Sequence, residues 1–576
     1  MDRDSEKDDS GASTLGGGAG LGNPADADLE KAQPWPHSHA VSPHAHRTQR
    51  NGTTCRQLPT SAEIPAAAPG ATSSPPTTPD AGKAFSQQPP PLLASERTEA
   101  DMDPAYLVRF TPDDPDDPHN FGGGKKYGIT FLLGALAITG SLGSSIITPA
   151  ESTIAADLGM AYEVTVLLLA LFVLGYALGP MLWAPVSEAY GRRWSMLPAV
   201  TILGLFSIGS ATSRTPAALL VTRFLAGVFG SAPISNVSAA LGDFYGPRTR
   251  GVAMAFYSVC VLGGASIGPV LGAAIVFNPH MGWRWTQYME AIIAFAVAAV
   301  GWVALPETYN PVLLARKAAR LRAAPVADGG DPRYWHPQEF VHVTLQNVVT
   351  KHLSRPLRMF LTEPIVTCIA LYASFVYGLI FMLLEVFPIV FRDNRHMGPV
   401  VSNLPILALF VGTLAAFGIN IANQPVYARV PCVYVVKNNG GHAAPEARLP
   451  PIFVGGFFLS VGFFWFGWTA APRYHWALPT VAGGFVGAGF NILFQQCLNY
   501  LVDTYGRYAA SATSANTVLR SLLACALPLA ARPMFNNMGV GPAATVLGAI
   551  SCVALPVPFL FMRYGPWLRA KSKNTA

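Results

Sequence analysis

The feature that most constrains this chain is a series of apolar stretches, each about 20 residues long, between residues 127 and 563. At about 1.5 Å per helical residue, each stretch can cross a hydrocarbon core about 30 Å thick. Since lipid offers no partner for a backbone amide, the stretches must be helices or the strands of a closed barrel. Their continuous apolar character, without strict alternation, excludes the barrel. The sequence therefore predicts an all-α integral membrane protein.

Charge is scarce in this chain and unevenly distributed. Only 12% of the 576 residues are charged, against about 25% in soluble proteins. The net charge of +6 comes mainly from segments that should be cytoplasmic loops, so it indicates membrane topology rather than nucleic-acid binding. The seven cysteines are scattered and form no metal-ligand cluster. We therefore expect no metal, no cofactor and no nucleic-acid partner.

The apolar stretches fall into two groups of six, about twelve in total. The first group comprises residues 127–149, 162–185, 195–213, 216–240, 252–276 and 287–306. The second comprises residues 364–391, 402–423, 450–470, 476–501, 509–532 and 541–563. A polar, basic stretch separates the groups. This arrangement predicts two halves built on a repeated plan.

The segments outside the spans complete the domain plan. Residues 1–120 are rich in Pro, Ser, Thr, Ala and Gly, which predicts a disordered tail. Lys and Arg concentrate at one side of the predicted spans, so both termini should be cytoplasmic. The predicted units after the tail are a six-helix bundle (121–306), a cytoplasmic loop (307–362), a second six-helix bundle (363–563) and a cytoplasmic tail (564–576).

A sequence motif follows the second span, in "GPMLWAPVSEAYGRRWSML". Gly191 permits a tight turn, Arg192 and Arg193 anchor it at the cytoplasmic side, and Glu188 could pair with an arginine or face a helix N-terminus. The stretch resembles the loop signature G-x-x-x-D-x-x-G-R-R of the major facilitator superfamily. Its form "APVSEAYGRR" resembles the fungal proton-coupled drug antiporters. The residues assigned to this motif are Gly179, Ser187, Glu188, Gly191, Arg192 and Arg193.

The fourth span, "LLVTRFLAGVFGSAPISN", contains a charge inside an apolar helix. Placing the charge of Arg223 inside the membrane costs several kcal/mol of free energy unless the side chain has a charged partner or contacts water. Arg223, Gly227 and Gly230 resemble the fourth-helix motif of the superfamily, and the resemblance implies a role in proton coupling. The alternative is that Arg223 only holds helices together.

The fifth span, "GGASIGPVLGAAI", carries small residues at intervals of four. The assigned residues are Gly264, Gly268, Pro269 and Gly272. They resemble the superfamily's antiporter motif, although Ala273 and Ala255 stand where glycines are usual. Such spacing lets helices approach closely, and the proline loosens the backbone ladder. The alternative is a purely packing role.

Polar residues inside the other spans are candidates for the transport site. Glu385, in "MLLEVFPIV", could exchange a proton because burial favours a neutral carboxyl, and it could attract a cationic substrate. The alternative is an interfacial Glu near the outer face, since Arg392 follows two turns later. Arg520 could pair with an acid across the bundle. The candidates for the cavity are Asn236, Glu290, Tyr377, Phe381, Asn491, Gln495, Asn516 and Arg520.

Residues 120 to 572 as a whole resemble the fungal subgroup of polyamine and multidrug exporters, in segments such as "GWRWTQYMEA" and "YLVDTYGRYAASATSANTVLRS". The resemblance implies a major facilitator fold with a midplane cavity, and proton-coupled export of drugs, toxic secondary metabolites or polyamines. The expected partners are a small-molecule substrate, protons and the bilayer, with the monomer as the working unit. The plasma membrane is the expected location, with the vacuolar membrane as the alternative.

Two other functions remain open from the sequence. The first is a uniporter or importer of the same fold, against which the antiporter-like motif argues. The second is a receptor that signals through the long N-terminal tail, although the tail contains no recognisable signalling domain. No phosphate loop, metal cluster or nucleophile elbow indicates an enzyme.

Overall fold

The structure is a computed structural model that describes residues 102–325, 331–341, 354–429, 445–505 and 509–572. These residues contain 12 helices long and apolar enough to cross a membrane. Numbered in chain order, spans 1 to 12 are Gly123–Leu158, Tyr162–Tyr190, Arg192–Thr212, Pro216–Phe244, Thr249–Val276, Arg284–Ala304, Pro364–Asp393, Val401–Ala422, Pro450–Thr469, Ala477–Tyr505, Ser511–Met538 and Val540–Arg569. The predicted all-α, twelve-span fold is confirmed.

Local sequence signals determine where several of the spans begin and end. Gly191 has a φ of 100°, a value that favours glycine, and it separates spans 2 and 3. Span 4 begins with Pro216, and the side chain of Thr215 accepts a hydrogen bond from the amide of Ala218 at 3.3 Å. The first span is longer than predicted because a short helix, Glu151–Leu158, follows Gly123–Ser145.

Helix pairing shows the repeated plan of the two halves. In the first half, span 1 packs against span 5, span 2 against span 4, and span 3 against spans 4 and 6. In the second half, span 7 packs against span 11, span 8 against span 10, and span 9 against spans 10 and 12. Each pair in the second half is the corresponding pair of the first half shifted by six spans. The two halves therefore share one helix-packing pattern, although their residues show no evident repeat.

The two halves meet through a small set of helices. Span 2 packs against span 11 and span 5 against span 8, and these two contacts are equivalent under the repeat. Span 5 also contacts span 10. Two six-helix bundles joined mainly at two equivalent seams can rotate against each other while each bundle keeps its own core.

The segments before span 1 and after span 6 pack together at one end of the bundle. The backbone amide of Val108 donates to the carbonyl of Trp335 at 3.1 Å, and Lys317 forms an ion pair with Asp114. That ion pair holds the pKa of the Asp114 carboxyl below its usual value. Residues 102–120, predicted to belong to the disordered tail, thus have defined contacts. The remainder of that prediction, residues 1–101, lies outside the described residues.

Shorter helices lie outside the spans. Asn310–Ala323, at the start of the central segment, carries Lys317 and is amphipathic. The other short helices are Pro104–Tyr106 and Pro118–Asn120 before span 1, Pro337–Phe340 and Ser354–Thr362 between spans 6 and 7, and Pro445–Arg448 between spans 8 and 9.

Candidate functional site

A cavity of about 210 Å³ opens between the halves at the end of the bundle that carries the Gly191 turn. We call it the inner cavity. Its walls come from spans 2, 4 and 5 and the first residue of span 3 in the first half, and from spans 10 and 11 in the second. Asn236 and Arg520, both predicted cavity residues, line it. The Nδ2 of Asn236 also donates to Ser195 Oγ at 3.0 Å, so this residue joins spans 3 and 4 as well.

Arg520 lies between the inner cavity and a group of aromatic rings. It is 3% exposed, and its guanidinium carbon lies 4.9 Å from the centre of the Tyr377 ring and 5.0 Å from that of Phe494. The Tyr377 ring in turn contacts Phe381 at 5.1 Å and Phe490 at 5.9 Å between centroids. Tyr377 and Phe381 are therefore brought beside Arg520 but not onto the wall of the inner cavity.

The other predicted cavity residues of the second half are buried elsewhere. Gln495 accepts a hydrogen bond from Asn420 at 2.8 Å and donates to the Gly251 carbonyl at 3.1 Å, which joins the two halves. Asn491 and Asn516 are fully buried, and the amide groups of both lack a hydrogen-bond partner among the described residues. These three side chains do not line the inner cavity.

Arg223 occupies a fully buried site within the first half. Its guanidinium donates to the carbonyls of Gly143 at 2.9 Å and Ser144 at 3.2 Å, both on span 1. It also donates to Gln287 at 3.3 Å and forms an ion pair with Glu290 at 3.4 Å. The side chains of Arg223 and Glu290 are both 0% exposed.

Glu290, predicted as a cavity residue, is therefore the partner of Arg223. Its second carboxyl oxygen, Oε1, has no hydrogen-bond donor among the described residues. A Cβ at Gly143 would collide with this oxygen, so glycine is needed for Glu290 to approach span 1. The Phe172 ring covers the guanidinium at 4.3 Å. The pair thus has one protonatable oxygen in a site closed to water by apolar packing.

Glu385 lies at the opposite end of the bundle from the inner cavity. It lines a separate small cavity of about 40 Å³ together with Glu151, Tyr162 and Arg532, and we call these residues the outer cluster. Tyr162 donates to Glu151 Oε2 at 2.5 Å, and the Arg532 guanidinium lies 4.1 Å from the centre of the Tyr162 ring. Glu151 and Tyr162 belong to the first half, and Glu385 and Arg532 to the second.

The carboxyl groups of Glu151 and Glu385 line the same small cavity from opposite halves. Glu151 is 2% and Glu385 is 4% exposed, and one oxygen of each has no donor among the described residues. Sequence reasoning missed Glu151 because the predicted first span ended at residue 149, which left this acid in an outer loop. The signal available was an acid directly after "TPA" at a helix start.

The loop motif after span 2 forms an ion-pair network at the inner end. Arg192 pairs with Asp243 at 2.8 Å and donates to Ser187 Oγ at 2.8 Å. The carboxylate of Glu307 accepts from the amide of Arg192 at 2.8 Å, at the start of span 3. Glu307 therefore accepts the backbone N–H at this helix N-terminus, which is one of the two roles predicted for Glu188, and Glu188 lines the inner cavity. A Cβ at Gly191 would collide with Glu307, and one at Gly179 with Ser231.

The glycine motif of span 5 packs directly on span 1. A Cβ added at Gly264 would lie 2.7 Å from the carbonyl oxygen of Ile138, and one at Gly268 or Gly272 would collide with Ser145 or Ile146. Pro269 lies inside the same helix. The motif therefore brings the backbones of spans 1 and 5 together, next to the carbonyls that Arg223 holds.

Comparison with known proteins gives consistent results. The pattern of the Major Facilitator Superfamily matches residues 133–528. The "Major facilitator superfamily multidrug transporter FLU1" of Candida albicans is 37% identical over 84% of this chain and 77% of its own length. The "Efflux pump bik6" of Gibberella fujikuroi is 38% identical over 81% of this chain and 94% of its own length. The structure of the proton:xylose symporter XylE covers 77% of this chain and 96% of that chain, with a TM-score of 0.56 at 14% identity, which compares the fold alone.

Proposed function

Since this chain belongs to the major facilitator superfamily, we propose that it is a proton-coupled exporter of small organic molecules. The relatives named as a multidrug transporter and an efflux pump support the outward direction. The observation that carries the proposal of proton coupling is the buried ion pair between Arg223 and Glu290. No covalent step is required of the protein.

The chemistry of this pair assigns different roles to its members. A guanidinium keeps its charge at any accessible pH, so Arg223 cannot itself carry the proton. Glu290 can, because its Oε1 has no donor among the described residues. Protonation removes the charge that Arg223 faces, and the arginine then keeps its hydrogen bonds to the span 1 carbonyls, to Gln287 and to the Leu168 carbonyl of span 2. Proton binding therefore changes the forces on span 1.

A continuous path of packed helices connects this pair to the second half. Arg223 holds the carbonyls of Gly143 and Ser144 at the outer end of the Gly123–Ser145 helix. Span 1 packs on span 5 through Gly264, Gly268 and Gly272. Span 5 contacts spans 8 and 10 of the second half. We infer that a shift of span 1 on protonation moves span 5 against the second half.

The outer cluster is a second proton site in this proposal. Two ionised carboxylates at short range repel each other, whereas one shared proton lets them bind. Since Glu151 and Glu385 come from opposite halves, proton uptake holds the outer side closed and proton loss favours its opening. Glu385 thus keeps the proposed coupling role, but it is not on the wall of the inner cavity, where it would meet a cationic substrate from the cytoplasm.

Growth under drug stress tests the proposed function. Yeast cells that lack their own drug pumps would express the chain and be challenged with rhodamine 6G, cycloheximide or a toxic amphipathic carboxylic acid at external pH 5 and pH 7.5, each compared with empty-vector cells at the same pH. We expect protection against at least one compound, and stronger protection at pH 5, where the inward proton gradient is larger. The Arg223→Ala variant at matched expression is the inactive control. Protection that is equal at both pH values would contradict proton coupling, and no protection at all would contradict export of these compounds.

The proposal also places both termini and the central segment in the cytoplasm. A cysteine at Pro325, in a background without other cysteines, should remain unlabelled when intact cells are treated with a membrane-impermeant maleimide. A cysteine at His280, an exposed residue between spans 5 and 6, should be labelled. The reverse pattern would overturn the orientation, which follows from the distribution of Lys and Arg.

A further inference from the structure

Arg520 is a buried cation without an acidic partner in the part of the chain that the structure describes. No ion pair or hydrogen bond of its guanidinium is present there, and its Nε lacks any partner. Within these residues, the positive charge of Arg520 is stabilised by contacts with the Tyr377 and Phe494 rings at about 5 Å. A cation held in this way, at the wall of a cavity, can still bind an anion.

The other charges on the wall of the inner cavity strengthen this conclusion. The charged lining residues are Glu188, Arg192, Arg250 and Arg520. Arg192 is paired with Asp243 at 2.8 Å and Arg250 with Asp503 at 3.0 Å. Glu188 is the single acid among the lining residues. Arg520 is therefore the arginine of this wall for which the described residues supply no carboxylate.

Apolar groups complete the recognition surface. Ile234 and Met254 of the first half and Leu498 of the second half line the same cavity. A molecule whose anionic group meets Arg520 would place its hydrocarbon part against these side chains. Thr517, one turn before Arg520 on span 11, also lines the cavity with a hydroxyl group.

We propose that Arg520 is the anion-binding residue of the inner cavity, and that its substrates are amphipathic organic anions with a carboxylate or a comparable anionic group. This proposal rests on the proposed function, because it names the substrate class of the same transporter. A carboxylate can accept two parallel hydrogen bonds from the guanidinium, which lysine cannot provide.

Equilibrium binding to the full-length protein in lipid nanodiscs at pH 7 tests this proposal. Three probes share one ring system: 2-naphthoate, its neutral methyl ester, and 2-naphthylmethylammonium. We expect the wild type to bind 2-naphthoate about tenfold to a hundredfold more tightly than the other two, the range of a charge-assisted hydrogen bond. Arg520→Gln should abolish this preference, and Arg520→Lys should keep part of it. Arg473→Gln, at an exposed arginine between spans 9 and 10, is the matched control.

The outcomes separate this proposal from the proposed function. Binding requires neither a proton gradient nor transport, so a failed growth assay does not alter its result. Equal affinity of the wild type for the three probes would overturn the proposal, even if Arg520→Gln did not fold. Retention of the preference for 2-naphthoate in a folded Arg520→Gln protein would also overturn it.

Discussion

Arg223→Ala is expected to abolish substrate movement driven by a pH gradient in reconstituted vesicles. The substitution leaves Glu290 buried and without its cation, a state in which a carboxyl takes up a proton and keeps it. Glu290 then stays protonated, so this site no longer binds and releases protons and cannot couple the proton gradient to substrate movement. We expect gradient-driven flux to fall by at least about tenfold, equivalent to about 1.4 kcal/mol in the coupling step. Arg223→Lys should restore only part of it because lysine lacks the planar fork.

The measurement must separate coupling from folding. Exchange of labelled for unlabelled substrate without a gradient requires a folded, membrane-inserted protein but no net proton movement, and we expect Arg223→Ala to retain it. Removing a charge from a membrane helix also lowers the cost of insertion. Arg284→Ala is the matched control, since this arginine pairs with Asp157 at 2.8 Å with 39% and 43% of the side chains exposed. Undiminished gradient-driven flux in Arg223→Ala would show that the arginine is structural.

Glu385→Gln is expected to weaken the response of the outer side to external pH. A glutamine amide can donate a hydrogen bond to Glu151 at any pH, so it imitates the pair with its shared proton. In the wild type, rising external pH removes this proton, and the two carboxylates then repel each other. The variant should therefore remain closed on the outer side at high pH. Turnover should fall for neutral and cationic substrates alike, whereas a Glu385 that attracts cationic substrates, as the sequence allowed, would give a larger loss for cations.

Labelling of a buried position reports the state of the outer side. Asn403 is 5% exposed and lines the same small cavity as Glu385. An exposed cysteine at His280 corrects for the thiolate fraction, which itself rises with pH. Relative to that control, a cysteine at position 403 should react faster with an impermeant maleimide as external pH rises from 5 to 8, and this relative increase should be absent in Glu385→Gln. Glu151→Gln should have the same effect, and the double variant should add little to either one because the two residues act as a unit. A loss confined to cationic substrates would restore the substrate-binding role of Glu385.

The membrane fold was predictable because its signal is local. A stretch of about 20 apolar residues must form a helix in lipid whatever surrounds it. Spans 4 and 9, Pro216–Phe244 and Pro450–Thr469, for example, begin at the predicted residues 216 and 450. The turn at Gly191 and the close approach of span 5 at its glycines were also predictable from local sequence, because a tight turn and a close helix contact each require small residues at particular positions.

The partners of the buried charges depended on tertiary structure. Glu290 is 67 residues from Arg223 in the chain, and Glu151 meets Glu385 from the other half of the molecule. Which polar residues reach the inner cavity was equally hidden: Asn236 and Arg520 line it, whereas Asn491 and Asn516 do not. A helix that is apolar on all sides has no sequence period to indicate which face turns inward. The rotation of each helix about its own axis is set by its contacts with other helices, such as the contact between spans 1 and 5 at Gly268. Such contacts exist only once the bundle has assembled.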